Sequence, residues 1–349
     1  MSQTRALAEL RHADASAFGG KSASLGELIA GGIPVPPGFA VSTTAFRAFV
    51  EEAGLGGMIA GALGRVVPGD VDGVGAAAHA IGEAMRSAPM PQELRVEVAR
   101  AYAGLGEDDP PVAVRSSALG EDSQDATFAG QQETYLWVQG ADRVCDAVRD
   151  CWVSLYSPPA IAYRARLGAD ADAAMGVAVQ AMVDAEVSGV MFTCNPVSGD
   201  RSMVAINASW GLGLAVVGGE VTPDDYLVSK VTREVVREHV HSKDVEYVPG
   251  AGGAVRVAVP DDRRDAPCLD RAALDALIET ARRVEGYFGA PQDIEWAIAR
   301  GGELPSSLYV LQSRPVTAGT KAPKPEPTSA MSLLMSTFGA GPDGEGTGL

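Results

Sequence analysis

Glycine and proline are distributed densely along this sequence and divide it into separate regular elements. The chain of 349 residues contains 41 glycines and 22 prolines, and the segments between them alternate between helical and strand-like periodicity. Apolar residues make up 46% and charged residues 21% of the chain, which is ordinary for a packed protein and excludes disordered, fibrous and coiled-coil classes. We therefore expect a mixed fold of short helices and strands in about two structural units.

Charge and cysteine content narrow the classes of partner. Lys and Arg number 28 against 45 Asp and Glu, so the net charge is −17 and most of the surface repels nucleic acid and anionic lipid. We predict neither a nucleic-acid partner nor a membrane span, since the long uncharged stretch 202–219 contains four glycines. No export signal is visible at the N-terminus, and the cysteines form no C-x-x-C pair. We expect a cytoplasmic protein with buried free thiols.

The order of elements predicts two lobes and a tail. Residues 1–175 begin with a mixed helical pattern and become strand-rich from residue 112, whereas residues 176–317 consist mostly of strands. One strong helix interrupts the second lobe, beginning at Asp270 and ending at Gly289. Ser42 and Asp142 are further candidate helix caps. Residues 318–349 are rich in Pro and Gly and are expected to form a linker or tail.

The first candidate phosphate site lies near the N-terminus. Gly19-Gly20-Lys21 is predicted to begin a helix, where unpaired backbone N–H groups favour an anion. A Walker P-loop is excluded because Ala15 stands where that motif requires glycine. A glycine-rich turn with a solvated lysine explains the pattern equally well.

A second candidate cation follows a short apolar strand. Arg115 opens the segment 115–123, which contains small hydroxyl residues, and an arginine fork held at a strand end suits bidentate phosphate binding. A structural ion pair with Glu121 or Asp122 is the alternative. The glycine-containing segment 128–134 provides a second turn where the backbone could approach a nucleotide.

The final hairpin carries the most informative pattern. Alternation puts Ile294, Trp296 and Ile298 on the core face of one strand and Asp293 and Glu295 on the other, and puts Leu308, Val310, Gln312 and Arg314 on one face of the partner strand. If Ala299 faces Leu308, then Glu295 faces Gln312 at roughly 5 Å and Asp293 faces Arg314. Clustered oxygens of this kind suit Mg²⁺, whereas a cross-strand salt bridge is the plainer interpretation.

Seven motifs in order carry a family resemblance over about residues 18–317. The sequence resembles the ATP-binding domain shared by phosphoenolpyruvate synthase, pyruvate phosphate dikinase and rifampicin phosphotransferase. The motifs are Gly19-Gly20-Lys21, Val114-Arg115-Ser116-Ser117, Phe128-Ala129-Gly130-Gln131-Gln132, Ser188-Gly189-Val190-Met191-Phe192-Thr193, Gly218-Gly219-Glu220-Val221-Thr222-Pro223-Asp224, Gln292-Asp293-Ile294-Glu295-Trp296 and Leu311-Gln312-Ser313-Arg314-Pro315.

The resemblance implies an α+β, two-lobed ATP-grasp fold with mixed or antiparallel sheets that binds ATP and Mg²⁺. By position it implies phosphate-binding and catalytic roles for Lys21, Arg115 and Arg314, and metal binding by Glu295 and Gln312. Gly130 and Thr134 would line the phosphate region, while Gln180, Met182 and Val183 would form the adenine-side segment between the lobes. In these enzymes the domain transfers the β-phosphoryl group of ATP to a histidine on a swivelling domain, releasing AMP and phosphate.

Two departures from the family pattern leave three functional hypotheses. Leu214 stands where the family motif usually has glutamate, and no histidine of this chain lies in a setting like the phosphohistidine loop. The first hypothesis is an ATP-dependent phosphotransferase subunit that phosphorylates a histidine on a separate partner chain. The others are a stand-alone kinase or ligase acting on a small molecule, and a non-catalytic ATP-binding regulatory module.

Overall fold

Two antiparallel sheets and surrounding helices form the fold of this chain. A computed structural model describes residues 2–118, 133–167, 173–250 and 252–316. The predicted α+β class with antiparallel sheets is confirmed. Gly130, the segment 119–132 and the tail predicted for residues 318–349 lie outside the described residues.

The first sheet has five strands in the order β1-β2-β5-β3-β4, and every neighbouring pair is antiparallel. The strands are β1 (Thr4–Ala6), β2 (Gly38–Val41), β3 (Val112–Ala118), β4 (Thr134–Val138) and β5 (Met175–Ala181).

The second sheet has six strands in the order β13-β12-β6-β7-β8-β9, again antiparallel throughout, and β10 and β11 form a separate hairpin. The strands are β6 (Ala185–Phe192), β7 (Met203–Trp210), β8 (Asp224–Ser229), β9 (Val235–His239), β10 (Val245–Gly250), β11 (Gly253–Ala258), β12 (Gln292–Ala299) and β13 (Leu308–Pro315).

Most helices lie in the first half of the chain, as predicted. The α-helices of the described residues are α1 (Ala15–Phe18), α2 (Gly20–Ala30), α3 (Thr43–Glu52), α4 (Gly56–Leu63), α5 (Val71–Ser87), α6 (Gln92–Ala103), α7 (Ala141–Ser154), α8 (Pro158–Leu167), α9 (Leu214–Val217), α10 (Asp261–Arg264) and α11 (Arg271–Phe288). No helix of the described ranges has both the length and the apolarity needed to cross a bilayer.

Local capping explains where several helices begin and end. The Asp270 side chain accepts a hydrogen bond from the backbone N–H of Ala273, and Gly289 ends α11 with φ +70°, as the sequence predicts. Ser42 caps α3 in the same way. The prediction for Asp142 is wrong, because α7 begins after Gly140 and Asp142 lies exposed in its first turn, paired with Arg95.

Each sheet has its own apolar core. Helices α3 to α8 pack against the first sheet around Phe49 and Trp152, whose rings stack 5.3 Å apart. Helix α11 packs against the second sheet together with Trp296. Helix α2 belongs to this second core through Leu25 and Leu28, although in the chain it lies between β1 and β2 of the first sheet. The N-terminal part of the molecule thus supplies a helix to the C-terminal core.

The N-terminus departs from the mixed helical pattern that the sequence predicts. Residues 4–6 form a strand rather than part of a helix, because they pair with β2 along the edge of the first sheet. Strand β5 also pairs in the first sheet, and the chain crosses to the second sheet over residues 182–184. The division into lobes at residue 175 and a tail stays a prediction.

Candidate active site

A cavity of about 340 Å³ lies between the two sheets. Its described lining contains all the predicted site residues within the described ranges: Lys21, Arg115, Thr134, Gln180, Met182, Val183, Glu295, Gln312 and Arg314. Gly130, the remaining predicted residue, lies outside those ranges. The structure therefore brings together side chains that are up to 293 positions apart in the sequence (314 − 21). Their roles in binding stay predictions.

Lys21 enters the cavity at the first turn of α2. Gly19 precedes this helix with φ +85°, and a Cβ atom at that position would lie 2.1 Å from the backbone oxygen of Ser117. Glycine is therefore required for α2 to begin against β3. The Lys21 Nζ donates to the backbone oxygen of Ser116 at 3.4 Å, and the Ser22 N–H lies 3.3 Å from Ser117 Oγ. The helix start is thus held beside the strand that carries Arg115.

Arg115 connects the first sheet to the final hairpin. It lies inside β3 rather than at the end of a strand, since β3 continues to residue 118 and Arg115 faces Ala178 of β5. Its Nη1 lies 3.3 Å from Glu295 Oε2 and 3.4 Å from Gln312 Oε1. The buried Arg115 Nε has no hydrogen-bond partner among the described residues, so the guanidinium retains a donor for a further acceptor.

The hairpin register is confirmed at the site and wrong near the loop. Asp293 faces Arg314 and Glu295 faces Gln312, as predicted, but the register shifts after Glu295, so Ile298 rather than Ala299 faces Leu308. The extra residue is Leu311. This bulge reverses the alternation along β13, so Leu308 and Val310 face the core while Gln312 lines the cavity. The sequence interpretation assumed an unbroken alternation and wrongly placed these residues on one face.

An ion pair behind the cavity orients Arg314. The Arg314 Nε donates to Asp293 Oδ2 at 2.9 Å, and the Asp293 carboxylate is nearly inaccessible to solvent. Burial raises the pKa of Asp293 above its ordinary value, and the neighbouring guanidinium acts in the opposite direction. Because the carboxylate fixes one edge of the guanidinium, the rest of Arg314 is directed along the cavity wall.

Glu295 and Gln312 provide an oxygen donor set that fits Mg²⁺. One carboxylate and one amide oxygen lie within 3.4 Å of the same Arg115 Nη1, so they converge on one cationic position. Magnesium is commonly held by one or two protein oxygens, with substrate phosphates and water completing its shell. The described residues contain no cluster of three or more His, Cys, Asp or Glu side chains that would form a metal cage by themselves.

The opposite end of the cavity is apolar and adjoins the crossing between sheets. The Ala181 N–H donates to the Pro37 oxygen at 2.8 Å, and the Met182 N–H donates to the Pro111 oxygen at 2.9 Å, so the crossing segment is fixed on both sides. Gln180 is 2% exposed, and its Nε2 has no hydrogen-bond partner in the described part of the chain. Ala185, Leu212, Ala297 and Leu311 line the cavity here and form one apolar cluster with Met182 and Val183.

Several lining residues were not predicted, although the period of the strands indicates some of them. Ala113, Leu136 and Ala297 each lie two positions from a predicted site residue on the same strand, and such residues share a face. No sequence pattern indicated that α9 would form part of the cavity wall, because the position of this helix depends on its packing in the folded protein. Leu214, which departs from the family motif, lines the cavity, so the substitution changes the wall of the site itself.

Comparison with known proteins shows which family this chain resembles. The family described as pyruvate phosphate dikinase, AMP/ATP-binding domain, matches residues 15–333. A probable phosphoenolpyruvate synthase of Methanocaldococcus jannaschii is 40% identical over 346 residues, which cover 96% of this chain and 29% of that protein. The corresponding protein of Methanothermobacter thermautotrophicus is 39% identical over 339 residues, covering 96% of this chain and 49% of that protein.

The match covers nearly all of this chain and less than half of its relatives. The phosphoenolpyruvate synthase of Aeropyrum pernix shows the same relation, with 40% identity over 334 residues that cover 87% of this chain and 41% of that protein. This chain belongs to the family of pyruvate phosphate dikinase AMP/ATP-binding domains.

Proposed function

We propose that this chain binds Mg-ATP between its two sheets and phosphorylates a histidine on a separate partner chain, releasing AMP and phosphate. The observation that supports the proposal is the distribution of charge in the cavity. Three cationic side chains and two oxygen ligands converge at one end, while the other end is apolar. A triphosphate with its metal fits the first end, and a nucleobase fits the second.

The cationic side chains would bind the phosphates and neutralise their charge. Lys21 and the start of α2 would bind phosphate oxygens, while Arg115 and Arg314 would neutralise the charge that develops as a phosphoryl group is transferred. Glu295 and Gln312 would hold Mg²⁺. When bound, that ion neutralises phosphate oxygens and aligns the phosphate chain. The protein contributes positioning rather than covalent chemistry.

The proposed overall reaction balances with water as the second reactant. A histidine nitrogen bonds to the β-phosphorus and loses its proton to solvent, and the bond from the α,β-bridging oxygen to that phosphorus breaks, leaving AMP. A water oxygen bonds to the γ-phosphorus and loses a proton to solvent, and the bond from the β,γ-bridging oxygen to that phosphorus breaks, so the γ-phosphoryl group leaves as phosphate. Relatives of this chain are named phosphoenolpyruvate synthase, so we propose that the phosphohistidine supplies a second reaction on an acceptor of unidentified structure.

Position-specific labelling tests the proposal. The chain is incubated with Mg²⁺ and either β- or γ-labelled ATP, alone and with the part of the Methanocaldococcus jannaschii relative that lies outside the match, supplied as a separate protein. We expect AMP, labelled phosphate from the γ position, and acid-labile β label on the second protein. Formation of ADP or of a ligated product would instead support direct action on a small molecule. Binding of ATP without turnover would support a regulatory module.

A further inference from the structure

The outer edge of β13 is covered by the N-terminal part of the chain. Strand β13 is the last strand of the second sheet, so one side of its backbone has no neighbouring strand among the residues that the structure describes. On that side Ser24 Oγ, from α2, donates to the backbone oxygen of Ser313 at 2.8 Å. The Val310 N–H donates to the backbone oxygen of Pro34 at 2.8 Å. A helix and the loop after it thus take the place of a further strand.

These two bonds flank the bulge that orients the proposed metal ligand. Val310 lies immediately before Leu311 and Gln312, and Ser313 lies immediately after them. A bulge interrupts the pairing of a strand and leaves its local conformation less constrained by the ladder. The bonds to Ser24 and Pro34 supply that constraint from the other side, so the direction of Gln312 depends on α2 and the following loop.

The first turn of the same helix meets the opposite wall of the site. The Ser22 N–H approaches Ser117 Oγ at 3.3 Å, two residues beyond Arg115 on β3. Helix α2 therefore contacts the strand that carries Arg115 through Ser22 and, two residues later, the strand that carries Gln312 and Arg314 through Ser24. Lys21 immediately precedes the first of these two contacts in the sequence. One short helix fixes the separation of the two walls.

We infer that Ser24 is a positioning residue for the phosphate and metal end of the cavity, an inference that rests on the proposed function. Ser24 is 7% exposed and Ser313 is 2% exposed, so their hydrogen bond is protected from water. The Ser313 hydroxyl in turn donates to Gln292 Oε1 at 2.9 Å, which extends the constraint to β12. Ser24 touches no cavity group itself and acts through β13.

A purely structural hydrogen bond is the competing explanation, and Ser154 provides a matched control. Ser154 is also 7% exposed in a helix, and its Oγ donates to the backbone oxygen of Cys151 at 2.7 Å. It does not belong to the described lining of the cavity. Ser24→Ala and Ser154→Ala therefore each remove one buried hydrogen bond from a hydroxyl to a backbone oxygen, and only the bond of Ser24 reaches a strand that carries site residues.

The experiment compares the affinities of the full chain for Mg-ATP and for adenosine by calorimetry. We expect Ser24→Ala to weaken Mg-ATP binding about tenfold, because misplaced groups lose contacts with the phosphates. Adenosine binding should change by less than about twofold, because the apolar end of the cavity is unaffected. Ser154→Ala should leave both affinities unchanged, and Ser24→Thr, which keeps the hydroxyl, should restore Mg-ATP binding.

Three results would overturn the positioning role of Ser24: unchanged Mg-ATP affinity in Ser24→Ala, an equal loss for adenosine, or the same ATP-specific loss in Ser154→Ala. If Ser24→Ala does not fold, Ser24→Cys replaces it with the same expectations, since a thiol has a similar volume and is a weak donor. Failure of the unaltered chain to bind Mg-ATP would refute the proposed function instead, before any variant is compared.

Discussion

Glu295 has two interactions available, and they compete for the same carboxylate. In the structure its Oε2 lies 3.3 Å from Nη1 of Arg115, which belongs to the other sheet. The Arg115 side chain is 14% exposed and the Glu295 side chain is 23% exposed. With nucleotide bound, the proposed function requires the same oxygens to hold a metal. Exchange of one cation for another keeps the carboxylate compensated, whereas loss of both would leave a partly buried charge unpaired.

Replacing Glu295 by alanine should remove the effect of Mg²⁺ on ATP binding. We expect Mg²⁺ to strengthen ATP binding by the unaltered chain. In Glu295→Ala this strengthening should be at least about tenfold smaller, because a charged ligand of the metal is lost. Titration calorimetry with and without Mg²⁺ measures this difference. Glu285→Ala is the control, since Glu285 is also partly buried in an ion pair, with Lys230, but does not line the cavity. An unchanged Mg²⁺ effect in Glu295→Ala would remove this residue from the proposed metal site.

The cysteines should be unreactive until the protein unfolds. Burial raises the pKa of Cys145 from 9.0 to about 11, and burial also raises the pKa of Cys151, Cys194 and Cys268. We expect no labelling by a disulfide reagent at pH 8 and complete labelling in denaturant, since the thiolate is the reactive form. Rapid labelling of the native protein would contradict this expectation.

The same shift of Cys145 predicts how stability changes in alkali. The folded state keeps the thiol protonated up to about pH 11, whereas the unfolded chain releases the proton near pH 9. Because the folded state then binds more protons, the free energy of unfolding should fall as pH rises from about 9 to about 11. Urea unfolding of the unaltered chain and of Cys145→Ala across this range measures how much Cys145 contributes to this decrease. The part that comes from Cys145 should be absent in the variant.

At the scale of elements, α2 and β13 decide the shape of the site. The helix begins at a position that only glycine can occupy and packs into the core of the second sheet, while its first turn contacts the first sheet. Strand β13 carries a bulge that changes which residues face the cavity. Both features are local departures from regular structure, and both lie next to proposed ligand-binding residues.

Gly19→Ala should displace the start of α2 and destabilise the protein. The added Cβ would lie 2.1 Å from the Ser117 oxygen at a backbone φ of +85°, and the unfavourable backbone conformation alone costs about 1–3 kcal/mol. Gly57→Ala is the matched control, because a Cβ at that position in α4 meets no atom within 4 Å. Equal free energies of unfolding for the two variants, measured in urea, would show that the close approach to β3 is not required.

At the scale of the whole molecule, the cavity exists because two separately packed sheets face each other. The described core residues divide mainly into one cluster beneath each sheet, and the sheets are joined by the crossing at residues 182–184 and by α2. Arg115 and Glu295 form an ion pair between strands of the two sheets. A ligand bound in the cavity therefore contacts both sheets at once.

Mg-ATP should stabilise the molecule more than AMP at the same concentration. A ligand at 100 times its Kd stabilises the folded state by about 2.7 kcal/mol, and AMP lacks the phosphates that would reach Lys21 and Arg314. Thermal unfolding with each nucleotide, with and without Mg²⁺, measures which nucleotide stabilises the protein more. If AMP were as effective as Mg-ATP, the cationic end of the cavity would not be the site of the β- and γ-phosphates.

The sequence by itself determined the elements whose causes are local. Periodicity and capping located α3 and α11, including the cap at Asp270 and the stop at Gly289, because these depend on residues within one or two turns. The motifs identified the family, and the family model confirms it over residues 15–333. The pairing of Glu295 with Gln312 was also predictable, since both lie in adjacent strands of one hairpin.

Only the tertiary structure decided the features that depend on distant contacts. The short edge strand at residues 4–6 forms because β2 is beside it, and the bulge at Leu311 accompanies a β13 edge bonded to Ser24 and Pro34. No periodicity within β13 contains that information, because the partners lie more than 270 positions away (310 − 34). A strand specifies its alternation locally, but contacts on its two edges decide where the alternation breaks.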